Sequence, residues 1–416
     1  SSVGAMNADI AATNPGGGAL GANKVVLSST GTTGATNLVL TLGSSASGGD
    51  TLVGGNYTSA AGGNPTEAAV NAISTITVTD LDADLDADLA TVTATAVNAD
   101  LTMTADRTVT ADLRSVDTLA ISGDFNASVT SAQVGTGTYT VAAGSTLTMT
   151  ANKIDALTAA TGAKATATYN GGNVNLQNND TVAFTYNGVT YTATLSDVTD
   201  LTQINTDIAA ANPGGGALGA NKVVASTSGA TNLVLTVGAS GSVNDSLVGG
   251  NYTDVSGNVT QAAVNKGSTI AITDVEADLD ANLSTVTGTT VTADLTLTAD
   301  RSFIGNLGNG VDTLAVSGNF NATIGGAATV SSNNNVTVAS GSTVTLTAAD
   351  ADAMGNFTGA GNVAVTDLDA TAAADLSRIS VSGTKTANVA VSVTFTGDLG
   401  TGFTTSVDAG QTLQIT

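Results

Sequence analysis

Ser342-Thr343-Val344-Thr345-Leu346-Thr347 alternates hydroxyl and apolar side chains without a break. Such a period of two places one set of side chains on each face of a pleated strand. Ser74-Thr75-Ile76-Thr77-Val78-Thr79 and Leu119-Ala120-Ile121-Ser122 read the same way, each bounded by Gly, Asn or Asp. Val, Ile and Thr are stiff at χ1 and suit a half-buried pleated surface. Short strands of this kind, recurring along the chain, suit a β-solenoid or a stacked β-sandwich.

The strands belong to repeats. Asp9-Ile10-Ala11-Ala12-Thr13-Asn14-Pro15-Gly16-Gly17-Gly18 returns, with Ala for Thr, at Asp207 to Gly216. Asn37 to Thr41 returns at Asn232 to Thr236, Asp50 to Thr58 at Asp245 to Thr253, and Ala99 to Arg107 at Ala293 to Arg301. Shorter elements appear three times: Val78 to Ala83, Ile272 to Ala277 and Val365 to Ala370, and again Val141 to Leu147, Val338 to Val344 and Val407 to Leu413. Repetition of this extent is the signature of an array.

Two kinds of module alternate in this reading. Residues 1–73 form an incomplete α+β module, 74–168 a β-repeat module, 169–266 a complete α+β module, and 267–416 a second β-repeat module in an array that breaks off at its C-terminal end. The α+β module begins with two alternating runs, Asp180 to Tyr186 and Val189 to Leu195, around Asn187-Gly188. Asn-Gly at that place predicts a type I′ hairpin, which needs positive φ twice. Asp197 or Thr199 can then cap a helix carrying Leu201, Ile204 and Ile208 on one face, which Asn212-Pro213-Gly214 ends. The copy at 1–73 lacks the leading hairpin, so a strand donated by another subunit is one way to complete it.

This hairpin–helix–hairpin order resembles the small modules inserted in flagellins and hook-associated proteins. The stretch Val363 to Ala370, followed by Ala374-Asp375-Leu376-Ser377, resembles the repeats of large bacterial adhesins and surface-layer proteins. The resemblance implies a mainly β, extracellular, cell-surface structural protein and brings no catalytic residues with it.

Composition points the same way. The 416 residues carry 34 Asp and Glu against 10 Lys and Arg, a formal net charge of −24. Only Glu67 and Glu276 are glutamates. Aspartate favours caps and turns, and in loops it is a hard oxygen ligand for Ca²⁺. Nucleic acid and anionic membranes are disfavoured as partners, and no apolar run approaches the ~20 residues of a membrane span. Without His or Cys there is no conventional triad, imidazole base or zinc tetrad.

Candidate sites are acidic. Asp80, Asp82, Asp84, Asp86 and Asp88 are echoed by Asp274, Glu276, Asp278 and Asp280. Leu81, Leu85 and Leu89, like Val275, Leu279 and Leu283, are spaced for one face of a short helix capped by Asp80 or Asp274. A solvated acidic face and a calcium site compete for these residues. Gly48-Gly49-Asp50-Thr51-Leu52-Val53-Gly54-Gly55 and its copy around Asp245 resemble half of a calcium-binding glycine–aspartate nonapeptide, though a single copy suits a tight turn. Tyr57 and Tyr252 read as buried plugs, and Asn56, Asn126, Asn251 and Asn321 lie in glycosylation triplets.

The expectation is an extracellular protein that self-assembles into a filament or surface layer, stabilised by calcium, with itself as partner and a cell-surface polysaccharide as a further one. The alternatives are an adhesin stalk and a solenoid-fold carbohydrate-active enzyme.

Overall fold

The computed structural model describes residues 75–416 apart from 91, 93, 95, 131, 170–175, 215 and 229–231. Before residue 75 it describes 3–13, 20–30, 37–42, 44–45, 52, 56–58 and 65–68. The protein is mainly β.

Parallel pairing between neighbouring coils decides between solenoid and sandwich. Thr75 pairs with Ala96, Asn98 with Thr118, Thr118 with Thr138, and Thr138 with Ala159, all in one six-stranded sheet. Thr269 pairs with Thr290, Thr292 with Thr313, and Thr313 with Asn335 in an eight-stranded sheet. An advance of about twenty residues therefore returns the chain to the same face, as a stacked-repeat architecture requires. A face-to-face sandwich of antiparallel strands is excluded for this part of the chain. At ~4.8 Å between strands, the eight strands of the longest sheet span ~34 Å along the stack.

Alternation supplies the core. In Thr343–Thr347 the apolar Val344 and Leu346 point inward while the threonines stay half-exposed. One hydrophobic cluster runs through the stack from Leu81 to Phe395, filled mostly by Leu, Val, Ile and Ala. Phe303, Phe357, Phe395 and Tyr139 are its largest fully buried members.

The sequence boundaries at 168/169 and 266/267 do not separate two β units. Thr146 pairs in parallel with Thr269, and Ala160 with Val286, although residues 163–267 intervene. Strands on both sides therefore share one coil register and one core. The intervening chain builds its own cluster, from Ala165 to Tyr252, around two antiparallel sheets and the helix Leu201–Ala210. It leaves and re-enters through adjacent strands, since Thr166 pairs antiparallel with Lys266.

A later stretch shows the same coil junction without the intervening chain. Thr146–Thr150, the helix Ala151–Asp155 and the strand Ala159–Gly162 correspond to Thr343–Thr347, Ala348–Ala353 and Phe357–Gly359. There, only Ala360 and Gly361 lead to the next strand, Asn362–Thr366.

Local expectations within residues 163–267 are met in part. Asn187 and Gly188 have φ of 47° and 77°, so the hairpin turn is of the predicted left-handed kind. The helix cap is neither Asp197 nor Thr199 but Asp200, whose carboxylate accepts from the Thr202 amide. Asp197 instead accepts from the Thr199 amide and hydroxyl, closing the turn before the cap. Ile204 and Ile208 are buried, whereas Leu201 is 40% exposed and stands off the core.

Candidate functional site

The two acidic stretches form irregular coil corners rather than helices. Only Leu81–Ala83 and Val275–Ala277 are helical, each a single 3₁₀ turn. Asp80 and Asp274 enter them at φ of 60° and 55° and make no side-chain cap bond. The expected capped helix is thus replaced by a left-handed corner, because the chain must change direction to start the next coil face. Asp367 occupies the third such corner, at φ 54°. Leu81, Leu89, Val275 and Leu283 are buried, while Leu85 and Leu279 pack at the rim of the core.

Several of the acids already have partners. Asp82 receives Arg107, with Nη2 3.2 Å from Oδ2, and Glu276 lies 3.3 Å from Arg301 Nε. The Arg107 hydrogen bond holds Asp82 below the usual carboxylate range, and the amide of Thr298 does the same for Glu276. Asp88 and Asp112 form a parallel bridge between coils, and each closes a local turn by accepting an amide two residues on. Asn282 and Asn306 repeat that arrangement further along the stack, as do Asp375 and Asp398.

Among the described residues, the pairs Asp84/Asp86 and Asp278/Asp280 form no ion pair with a cation. Asp84 is held above the ordinary range, first by its hydrogen bond with Asp86 and then by burial. Asp278 is raised chiefly by burial, then by Asp280 and by the nearby charge of Asp155. A folded state that binds protons more tightly than the unfolded one loses stability as pH rises through the raised values. Asp82 and Glu276 act oppositely, contributing above their unfolded values and losing that contribution as pH falls. Among the described residues no three acidic side chains gather as a group able to hold a metal ion.

Asp50 lies outside the described residues. Asp245 sits in a turn, but the Leu247–Thr253 segment that follows is a strand paired with Thr181–Tyr186, not the tight glycine turn expected. Burial pushes Asp245 upward, yet hydrogen bonds from Tyr186, Asn187 and the Ser242 amide outweigh it and keep the carboxyl low. Three hydrogen bonds, from the hairpin and the turn, thus already engage its oxygens. Tyr252 is fully buried and donates to Asp180. Asn126 and Asn321 use their side-chain oxygens to accept from Thr148 and Thr345 on the next coil.

The candidate residues did not include a cleft of about 390 Å³ between the solenoid and residues 163–267. Asn306, Asn309, Asn333, Thr329 and Asn244 line it, and Asn244 donates to the carbonyl of Asn309 at 2.9 Å. The signal in the sequence that could have found it is the run Ser331-Ser332-Asn333-Asn334-Asn335.

Fold and corners together define a parallel β-solenoid repeat protein with an α+β unit set into one coil junction. No family model, no curated protein and no solved structure matches the chain. No described helix is long and apolar enough to cross a membrane.

Proposed function

We propose that this chain is a non-catalytic, extracellular structural protein that self-associates into a filament or surface layer, with calcium neutralising its acidic corners. The supporting observation is the uninterrupted strand register from coil to coil, which passes from Thr146 to Thr269 across the intervening unit. A rod held by continuous parallel ladders transmits length and stiffness, and its corners are spent on turns. The same rod would serve as an adhesin stalk. Electron micrographs of the purified chain separate the two, since ordered polymers with a fixed axial repeat support assembly and dispersed rods support the stalk.

An open edge offers a route to association. Val259–Ala262 is the outer strand of a four-stranded sheet, and Val255 and Val259 are both more than half exposed. Unpaired strand edges with apolar side chains invite further strands, and a lysine there blocks them. Near the N-terminus, Asn37–Leu42 pairs with Val25–Thr30, while its counterpart Asn232–Val237 also pairs with Thr166–Tyr169. Strand complementation between copies would use edges of this kind. Val259→Lys is expected to shift sedimentation from polymer toward monomer while leaving the melting temperature nearly unchanged; unchanged polymer would remove this edge from the interface.

Calcium has a separate test. At neutral pH both uncompensated pairs carry repelling charge, which either a cation or amide substitution relieves. The Asp84→Asn/Asp278→Asn variant should therefore melt above the parent chain in EGTA, and added CaCl₂ should stabilise the parent more than the variant. Identical melting of the parent in CaCl₂ and EGTA would remove the ion from the proposal.

A further inference from the structure

The loop that lines the cleft beside Asn309 has an internal counterpart in an earlier coil. Arg301-Ser302-Phe303-Ile304-Gly305-Asn306-Leu307-Gly308 corresponds to Arg107-Thr108-Val109-Thr110-Ala111-Asp112-Leu113-Arg114. In the earlier coil, Arg114 folds back on Asp112 in a bidentate ion pair, Nε to Oδ1 and Nη2 to Oδ2. In the later coil those two positions are Asn306 and Gly308, with one further residue, Gly310, lengthening the loop. The turn itself is kept, because the Asn306 oxygen accepts from the Gly308 amide at 2.9 Å as Asp112 accepts from Arg114. What changes is that both charges and the long arginine side chain are gone.

The walls are fixed. Asn334 donates to the carbonyls of Gly308 and Val311, and Ser331 also donates to Gly308. Gly310 lies flat on the preceding coil, where an added Cβ would fall 1.7 Å from the Val286 carbonyl oxygen. Asn244 reaches in from the α+β unit, and its Oδ1 is buried with no hydrogen-bond partner among the described residues.

We propose that this cleft binds a neutral, hydroxyl-rich ligand, a short segment of an uncharged glycan. Every side chain lining it is uncharged, in a protein of net charge −24. A phosphate or a metal ion would find no countercharge there. Amides and hydroxyls each donate and accept, which matches the dual character of sugar hydroxyls. The volume of about 390 Å³ falls in the ~300–1,000 Å³ range of small-ligand sites. No aromatic ring lines the cleft, so a single sugar segment binds weakly and a polymer gains by multivalency.

The test uses the full chain against an array of immobilised neutral and anionic glycans. Saturation-transfer NMR follows in solution, with maltotriose and triacetylchitotriose as neutral probes and trigalacturonate as the anionic one. Neutral glycans should be retained and trigalacturonate should give no transfer. Asn244→Ala/Asn333→Ala should weaken retention by ~tenfold or more, the equivalent of a lost pair of hydrogen bonds. Thr329→Val, which keeps the shape and removes one hydroxyl, should weaken it less while melting like the parent. Absence of any neutral glycan binding, equal binding of trigalacturonate, or retention unaffected by both variants would overturn the assignment.

Discussion

Asp180→Ala is expected to give the chain two melting transitions, with the α+β unit unfolding well before the solenoid. Asp180 is fully buried within residues 163–267. Its carboxylate accepts from the amides of Gln177 and Val255, each at 2.8 Å, and from the hydroxyl of Tyr252. These bonds tie together the loop before the first hairpin strand, the strand Leu247–Thr253 and the turn after it. Alanine removes all three bonds, two from the amides of the exposed residues Gln177 and Val255 and one from the buried Tyr252 hydroxyl, so at ~1–1.5 kcal/mol for each the unit should lose about 3–4 kcal/mol. That is a large share of the ~5–15 kcal/mol stability of an ordinary domain.

The damage should stop at residues 163–267, because the two hydrophobic clusters are separate. Coil pairing passes beneath the unit through Thr146–Thr150 and Thr269–Thr273. Links between the parts among the described residues include the Lys266–Asp124 ion pair, the Asn244–Asn309 bond and the bonds of Ser268 and Thr289 to the Ala163 carbonyl at the junction. Calorimetry of the variant reads this directly. A companion chain, with 163–267 replaced by the Ala-Gly link found at 360–361, should show only the upper transition. One joint transition in Asp180→Ala, or a solenoid that collapses in the shortened chain, would show that the two cores fold as one.

Much of the solenoid was legible before any coordinates, and the reason lies in particular residues. Thr343 to Thr347 has only one way to hide Val344 and Leu346 while keeping its threonines wet, so strand and inward face follow together. Asn187-Gly188 was equally clear, since few pairs accept positive φ twice. What the alternation does not carry is the partner of each strand. Nothing in Thr146–Thr150 reveals that its neighbour is Thr269–Thr273, because pairing across an inserted unit depends on contacts far apart in sequence. The long repeat concealed it further, as it mixes several coils with the unit set between them.

The acidic corners were misread for a related reason. Leucines four apart at 81, 85 and 89 satisfy a helix, yet a corner that sends two of them inward and one to the rim meets the same pattern. Asp80 decides the matter through its left-handed backbone, which aspartate tolerates better than most residues. Its cap-forming side chain was the more familiar signal and pointed the wrong way. The cleft was hidden because its residues are ordinary turn formers. Comparison of Asn306 and Gly308 with Asp112 and Arg114 shows only that this coil lacks the two charges the earlier one carries.

Gly318→Val should destabilise the solenoid more than any surface change, through a close contact between successive coils. Gly318 has φ of 103°, and a Cβ there would fall 2.0 Å from the carbonyl oxygen of Leu297 on the coil before. Gly123 repeats the arrangement, with φ of 109° and the same 2.0 Å distance to the Met103 carbonyl. The coils are pinned at this point, since the Leu297 amide donates to the carbonyl of Ser317 at 2.9 Å. Valine cannot adopt the backbone angle without strain, at ~1–3 kcal/mol. The clash must also push two hydrogen-bonded coils apart, adding ~1–3 kcal/mol as overpacking does in a core. A loss of about 2–6 kcal/mol follows, read as a lower denaturant midpoint for the solenoid transition alone. Gly410→Ala separates the two causes, because Gly410 has φ of 82° with nothing within 4 Å of its added Cβ. That variant should lose only ~1 kcal/mol. If the two substitutions cost the same, coil-to-coil contact is not what holds the stack in register, and the rigidity on which a load-carrying or spacing role depends must come from elsewhere.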